Sequence, residues 1–254
     1  MANSKSEIKV KSLQKALKVL DCFMEKQPLG VTEISEKLGL YKSNVYDILS
    51  TLTAMNYLSR SEESGKYYLG INLVRLGRAA ADRNSFQNIV APHLQKLSKE
   101  VGEIAYLTIP LGHQVYYLDT AFPTDSNIHL SSALRNSTDN MNCTSSGKVM
   151  LAHMPEEFVE EYLSMPMIPL TEYTITDPGQ MREELVKIRL RGYAVDNQEN
   201  AIGLRCVAVP ILGRDGSVLG AMSLSGPSPR FTASRIELFA TLLKKHVCEI
   251  QGNL

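Results

Sequence analysis

The stretch DNQENAIGLRC, residues 196–206, holds the residue types best able to do chemistry in this sequence. Two acids, two Asn and one Gln fill its first five positions. Cys206 stands directly before VAVPI, an apolar run typical of a buried strand. A carboxylate and a thiol beside a core could form either a catalytic centre or a site that senses a small molecule.

The sequence lacks the partners that a catalytic centre would need. A nucleophilic cysteine usually needs a histidine or another positive group to lower its pKa, and all five histidines lie outside this stretch. No C-x-x-C occurs, no histidine falls at metal-ligand spacing from a cysteine, and no Gly-rich phosphate loop follows a strand. We therefore expect no catalytic residues, no metal ion and no cofactor, and interpret the stretch as part of a binding site.

Strand alternation brings further polar side chains towards this stretch. Side chains alternate between the two faces of a strand, and VLGAMSLS, residues 218–225, reads as a strand. Its apolar face is predicted to contain Val218, Met222 and Leu224. Ser223 and Ser225 would then share the other face, which is polar.

A cluster of hydroxyl groups in TSSGKVMLAHM marks the predicted start of a helix. The free N–H groups and positive dipole end of a helix start suit a carboxylate. Combined with the polar face of Ser223 and Ser225 and with the nearby Asp196 and Cys206, this helix start predicts a pocket for a small polar acid. Its predicted effector-binding residues are Thr144, Ser145, Ser146, Asp196, Cys206, Ser223 and Ser225.

The charges near the pocket restrict the kind of acid. Asp196 and Glu199 would repel a multiply charged acid unless one of them is protonated or paired, for example with Arg205. One carboxylate at the helix start and a hydroxyl or carbonyl group near Asp196 would fit better. The pattern therefore favours a small hydroxy- or keto-acid.

Short strands with helices grouped around them predict an α+β domain with a largely antiparallel sheet for residues 84–254. Two strands flank a turn at residues 111–113, a third is expected at 127–132, and YAVDNQ, VAVPI and VLGAMSLS give three more. Helices are predicted at 145–154, at 155–163, from the N-cap Asp177 to Gly192, and at the C-terminal end. The final helix has an apolar stripe of Ile236, Phe239, Ala240, Leu243, Val247 and Ile250.

Residues 1–70 read as a winged helix-turn-helix domain. A first amphipathic helix carries the predicted buried stripe Leu13, Ala16, Leu17, Leu20 and Met24. A second is expected between an N-cap at Thr32 and a stop at Gly39. The third has the stripe Val45, Ile48, Leu49, Leu52 and Met55, and a hairpin with a turn at Ser64-Gly65 follows.

This domain has the charge and side chains expected of a DNA-binding unit. Residues 1–75 contain 11 Lys and Arg against 8 Asp and Glu, although the whole chain is neutral. Recognition helices contact base edges with their N-terminal residues, whereas Lys and Ser fix phosphates. The predicted DNA contacts are Lys42, Ser43, Asn44 and Tyr46 on the third helix and Lys66 in the hairpin.

Residues 71–83 form a predicted linker helix between the two domains, with Pro92 as a kink or first-turn proline in the helix that follows. The apolar face of the linker contains Leu73, Leu76, Ala80 and Ala81. It could pack against its own domain, but we favour pairing with the same helix of a second copy, since a helix between domains has few neighbours.

Composition excludes several other classes of protein. The longest apolar runs are far shorter than the roughly 18 residues of a membrane span, and no secretory signal is visible at the start. We therefore expect a cytoplasmic protein with no membrane partner. Its four scattered cysteines, Cys22, Cys143, Cys206 and Cys248, are expected to be free thiols.

Several motifs together resemble the IclR family of bacterial transcriptional regulators, over nearly the whole chain. RGYAVDNQENAIGLRCVAVPI followed by GAMSLSGPSPRF is similar to the family signature GY-x-x-D-x-E/Q-E-x-x-x-G-x-x-C-x-A and S-x-S-G-P-x-x-R. TSSGKVMLA resembles the T-A-x-G-K-A-x-L-A segment, and ALKVLDCF with KSNVY matches the DNA-binding half.

The resemblance implies a winged helix, a linker helix and a GAF-like effector-binding domain. It also implies a dimer or tetramer that binds a palindromic DNA operator and responds to a small organic or aromatic acid. Two departures matter. Asp47 stands where many members carry Arg, and the loop RNSTDNMNC is more polar than usual, which argues against a large aromatic effector.

Two alternatives remain open at this point. A redox-responsive regulator would use the thiol of Cys206 or Cys143. An enzyme with a winged-helix appendage is the other. The favoured interpretation is a regulator, expected to be a repressor of a catabolic pathway.

Overall fold

A computed structural model describes residues 8–82, 85–123 and 137–254 of the chain. The chain divides into two compact units, Met1–Arg83 and Asn84–Leu254. The strand predicted at 127–132 lies outside the described residues.

The first unit has the order of elements expected of a winged helix-turn-helix. Its elements are α1 (Lys11–Glu25), α2 (Val31–Leu38), α3 (Lys42–Ala54), β1 (Leu58–Arg60), β2 (Tyr67–Leu69) and α4 (Ile71–Asp82). The two strands pair antiparallel, and Gly65 in the turn between them has φ of 66°, which favours glycine. Gly39 ends α2 in the left-handed conformation, as predicted.

Three details of the first unit differ from the predictions. The buried face of α1 is Val19, Cys22 and Phe23. Because the helix carries a second apolar stripe, three of the residues expected in the core are instead exposed: Leu13, Leu17 and Met24. Thr32 is not the N-cap of α2, since Gly30 is extended and the helix begins at Val31. Met55 is exposed because it caps the end of α3 rather than continuing its stripe.

The second unit is a six-stranded antiparallel sheet between two layers of helices. Its strands are β3 (Ile104–Leu111), β4 (Gln114–Ala121), β5 (Thr138–Asn140), β6 (Ala194–Asn197), β7 (Leu204–Leu212) and β8 (Val218–Pro227). Their order across the sheet is β5-β4-β3-β8-β7-β6. The helices are α5 (Ser85–Val101), α6 (Ser145–Leu151), α7 (Glu156–Leu163), α8 (Pro178–Arg191) and α9 (Ala233–Gln251). The predicted α+β two-domain class is confirmed.

Each face of the sheet buries its own core. One core packs α6, α7 and α8 against the sheet, and the other packs α5 and α9 against the opposite face. Helix α8 starts and stops as expected, since Asp177 Oδ1 accepts a hydrogen bond from the Gln180 N–H at 2.8 Å and Gly192 is left-handed. The C-terminal stripe is buried along α9, with Ile236 half-buried.

Other details of the second unit correct the predictions. Val218 lies on the opposite face from Met222, because the register of β7 and β8 shifts after Ile211 and one extra residue of β8 reverses the alternation. Of the two alternatives for Pro92, the first-turn position is excluded and the kink stays open, since Pro92 lies inside α5. Residues 138–140, expected in a polar loop, form the edge strand β5.

Candidate functional site

The seven residues predicted to bind an effector all line one cavity of the second unit, with a volume of about 30 Å³. Helix α6 contributes Ser145 and Ser146, and its N-cap Thr144 accepts a hydrogen bond from the Gly147 N–H at 3.0 Å. Because the Thr144 hydroxyl also donates to the Asn140 carbonyl at 3.1 Å, it is already occupied in holding the helix start.

Gly147 lets this helix start approach the chain before it. A Cβ atom at Gly147 would lie 2.3 Å from the Cα of Met141, which no side chain can accept. The glycine is therefore required for the close packing that puts Ser145 and Ser146 at the cavity.

Asp196 on β6 is the most unusual group in the cavity wall. Its side chain is buried, and Oδ1 accepts a hydrogen bond from the Glu199 N–H at 2.7 Å. Among the described residues, no hydrogen-bond donor reaches Oδ2. Burial disfavours the ionised form and, despite the backbone hydrogen bond, raises the pKa of Asp196 to about 7. A buried oxygen without a partner is costly and indicates a place for a ligand or a water molecule.

The charge of Glu199 is compensated by Lys148, a residue that was not predicted for this site. Lys148 on α6 forms a buried ion pair with Glu199 Oε1. Arg205, offered as an example of a possible partner, does not take this role, since it binds Asn197 Oδ1 at 2.6 Å and the carbonyl of Phe231 at 3.0 Å. Arg205 lies beside an edge strand, whereas Lys148 faces the β6–β7 loop from the buried helix.

The two thiols near the cavity are held in their protonated form. Burial, with a further contribution from Asp196, raises the pKa of Cys206 well above its usual value. The Cys206 thiol donates a hydrogen bond to Ser225 Oγ at 3.2 Å. Burial also raises the pKa of Cys143 to about 12. Neither thiol has the positive surroundings that produce a reactive thiolate.

Four further residues complete the wall, and none of them was predicted for this site: Tyr106, Tyr117, Asn200 and Leu204. The two tyrosine rings meet edge to face at 5.3 Å between centroids. Tyr106 is the register partner of Ser223, so strand alternation across neighbouring strands could have identified it. Asn200 donates to Asp139 Oδ2 at 2.7 Å, a contact across 61 residues that no sequence pattern indicates.

The predicted DNA contacts lie in the first unit. Lys42, Ser43, Asn44 and Tyr46 are all exposed at the start of α3, while Val45 between them is buried and fixes that face outward. Tyr41, which precedes α3, is 82% exposed and was not predicted. The Ser35 hydroxyl donates to the Leu40 carbonyl at 2.6 Å and holds the turn between α2 and α3.

The ion pair of Lys66 and the carboxylate of Asp47 both reduce the positive charge of the predicted DNA-binding surface. Lys66 Nζ lies 3.0 Å from Glu33 Oε2, so its charge is already partly compensated. The backbone N–H of Gly30, followed by Lys66, lowers the pKa of Glu33 to about 2. Asp47 is exposed beside the predicted contacts and adds a negative charge to the helix face.

Comparison with known proteins identifies both units. The profile described as "IclR helix-turn-helix domain" matches residues 12–62, and "Bacterial transcriptional regulator IclR C-terminal" matches residues 78–251. The chain belongs to the IclR family. Members of this family are transcriptional regulators rather than enzymes, so the first unit is a DNA-binding domain and the chain is a transcriptional regulator.

Relatives within the IclR family align along most of the chain. The HTH-type transcriptional regulator BhcR of Paracoccus denitrificans is 32% identical over 239 residues, covering 89% of this chain and 81% of BhcR. The transcriptional repressor IclR of Escherichia coli is 28% identical over 245 residues, covering 95% and 89%. The crystal structure of an IclR-family regulator from Alicyclobacillus acidocaldarius aligns with a TM-score of 0.88 at 25% identity, covering 96% and 98%.

Of the helices in residues 8–82, 85–123 and 137–254, none combines the length and apolar character that crossing a membrane requires.

Proposed function

We propose that this IclR-family regulator is a cytoplasmic repressor of a catabolic pathway, controlled by a small hydroxy- or keto-acid bound in the cavity around Asp196. The observation that carries the proposal is the buried Oδ2 of Asp196, which lies at the cavity and has no partner among the described residues. A ligand hydroxyl would donate to this oxygen when Asp196 is ionised. A ligand carbonyl or carboxylate would accept from it when Asp196 is protonated.

The electrostatics of the site permit an anionic ligand. Lys148 compensates Glu199, and the raised pKa of Asp196 means that a small free-energy cost protonates it near neutral pH. Ser145, Ser146 and Ser223 line the same cavity. An acid with one carboxylate would therefore find serine residues in the cavity wall. It would be repelled at most by the Asp196 carboxylate, which is readily protonated near neutral pH.

The cavity must enlarge to admit such an acid. A volume of about 30 Å³ has room for about two water molecules. Binding therefore favours an arrangement with a wider cavity, and the effector shifts the population towards it. We infer that this shift passes through the linker helix to the DNA-binding domain and changes affinity for the operator.

A dimer would explain the exposed apolar residues of the first unit. Leu13, Leu17 and Met24 are exposed on α1, and Ile71, Val74 and Leu76 are exposed on α4. Surface of this kind on two helices favours association with a second copy. A two-fold dimer requires a palindromic operator, because each half-site is contacted by one copy.

Isothermal titration of the full chain with a panel of hydroxy-, keto- and aromatic acids tests the ligand assignment. Asp196→Asn and Ser223→Ala should weaken binding about 10-fold or more, because each removes a buried polar contact. Asp215→Asn and Ser164→Ala are matched controls on exposed residues. Binding unchanged in both cavity variants would refute the assignment, and preference for aromatic acids would refute the predicted class.

A further inference from the structure

Three side chains of metal-ligand type converge between α5 and α9, outside the cavity around Asp196. His93 lies on α5, and His246 and Glu249 lie three residues apart on α9. The Nδ1 atoms of the two histidines are 3.1 Å apart, and Oε2 of Glu249 lies 3.7 Å from His93 Nδ1. One ligand atom from each residue lies within 4.8 Å of both others.

These separations match the coordination sphere of a small metal ion. Zinc–nitrogen bonds of about 2.0–2.1 Å in tetrahedral geometry place two ligand nitrogens about 3.3 Å apart. Zinc–oxygen bonds are about 2.0–2.2 Å, so a ligand oxygen belongs at a comparable distance from each nitrogen. The observed 3.1 Å and 3.7 Å bracket that value, and the third separation, between His246 and Glu249, is within 4.8 Å. A rotation of the exposed Glu249 side chain would therefore bring all three groups to one ion.

We propose that His93, His246 and Glu249 form a binding site for a divalent transition-metal ion of the Zn²⁺ class that joins α5 to α9. Two imidazoles and one carboxylate are a donor set suited to zinc, cobalt, nickel or copper, whereas calcium and magnesium prefer oxygen ligands. Because Glu249 is exposed and His93 is partly exposed, the ion can enter from solvent and keep a water molecule as fourth ligand.

The surroundings of His246 support a metal-binding role. Its Nε2 lies 4.0 Å from Glu100 Oε2 on α5, on the opposite side of the ring from the proposed ion. Ligating histidines typically donate their other N–H to a carboxylate, which fixes the ring orientation. Glu100 could take that role after a small approach, since 4.0 Å is longer than a hydrogen bond.

Sequence patterns do not reveal this site, since 153 positions separate the two histidines. Without a metal, the pair would be held by one N–H···N hydrogen bond between neutral rings. The two explanations differ in the affinity for added ions, because a pair arranged only for a hydrogen bond should bind Zn²⁺ weakly, above micromolar concentration.

The test uses full-length protein freed of metal by a chelator and titrated with Zn²⁺, Co²⁺ and Mg²⁺. One Zn²⁺ per chain should bind and raise the Tm, since a ligand bound only by the folded state stabilises it. His93→Gln and Glu249→Gln should weaken binding about 100-fold or more, since loss of a ligand exceeds the cost of losing an outer partner. Glu237→Gln, an exposed change on the same helix, should leave binding unaltered.

Co²⁺ absorption separates this site from binding by the free cysteines. Visible bands of a four-coordinate nitrogen and oxygen site, without a thiolate charge-transfer band, are expected, and His93→Gln should abolish them. Circular dichroism of His93→Gln checks that the variant is folded. Absence of Zn²⁺ binding at micromolar concentration, binding unchanged in folded His93→Gln, or a thiolate band would overturn the proposal.

Discussion

Lys148 of α6 and Glu199 of the β6–β7 loop form an ion pair that lies almost wholly out of solvent, with side-chain exposures of 1% and 7%. The β6–β7 loop carries Asn200 at the cavity, and its carbonyl at Glu199 accepts a hydrogen bond from Thr174 Oγ1 at 2.6 Å. The pair therefore fixes one cavity wall to the other, and it does so with charges that have lost their hydration.

Breaking this pair on one side should be strongly destabilising. Lys148→Met leaves the Glu199 carboxylate buried without its partner, and we expect the free energy of unfolding in urea to fall by about 3–5 kcal/mol. Lys148→Met combined with Glu199→Gln should recover much of that loss. Lys187→Met on the exposed face of α8 is the matched control, with an expected change within about 0.5 kcal/mol. A double variant no more stable than Lys148→Met alone would show that the charge is not the cause.

The raised pKa of Asp196 predicts a specific pH dependence of stability. The folded protein holds a proton on Asp196 up to about pH 7, whereas the unfolded chain releases it near its ordinary value. The folded state therefore binds more protons over this range, so stability falls as pH rises between about pH 4 and pH 7. Relative to Asp196→Asn, wild type should lose stability with a limiting slope of about 1.4 kcal/mol per pH unit. A difference that stays constant from pH 5 to pH 8 contradicts the raised pKa.

Because the thiols of Cys206 and Cys143 are protonated, we expect them to be oxidised or alkylated slowly. Cys248 is exposed, whereas burial raises the pKa values of Cys206 and Cys143. With mild peroxide or an alkylating agent at neutral pH, mass spectrometry should find Cys248 modified first, the half-buried and protonated Cys206 more slowly, and the buried Cys143 only after unfolding. Rapid oxidation of Cys206 with loss of DNA binding would instead favour the redox-responsive alternative.

The packing at Gly147 predicts a steric effect on the cavity. Gly147→Ala places a Cβ against the Met141 backbone and should cost about 1–3 kcal/mol in the free energy of unfolding. Gly77→Ala is the control, because a Cβ at that helical position meets nothing within 4 Å. It should stabilise the DNA-binding unit by roughly 0.5–1 kcal/mol. Equal effects of the two substitutions would contradict the role of the close contact.

Periodicity and local signals predicted the elements well where short-range physics determines them. The predicted ends of α8, at Asp177-Pro178 and at Gly192, are correct. Helix capping and the left-handed C-terminal glycine depend only on nearby residues. Alternation on β8 placed Ser223 and Ser225 in the cavity but failed for Val218, where a bulge changes the parity. The sequence of one strand does not determine how it pairs with its neighbour, so the bulge could not be predicted.

Long-range partners could not be predicted from one chain. Glu199 was recognised as an unfavourable charge, but its partner is Lys148 on another element and not Arg205, the nearby residue suggested as an example. The prediction of the buried face of α1 was wrong for a related reason. The helix has two apolar faces, and only the neighbouring helices determine which of them, the one with Val19 and Phe23 or the one with Leu13 and Leu17, enters the core.

The measurement that tests the account most directly is fluorescence anisotropy of an operator fragment, selected from random DNA by the protein, as the acid found by titration is added. Wild type should release the fragment as the cavity fills. Asp196→Asn should bind the same fragment with unchanged affinity and need about 10-fold more acid for release. Asn44→Ala should weaken binding of the fragment itself by about 1–3 kcal/mol. Release at the same acid concentration in wild type and Asp196→Asn would contradict the assignment of this cavity as the sensor.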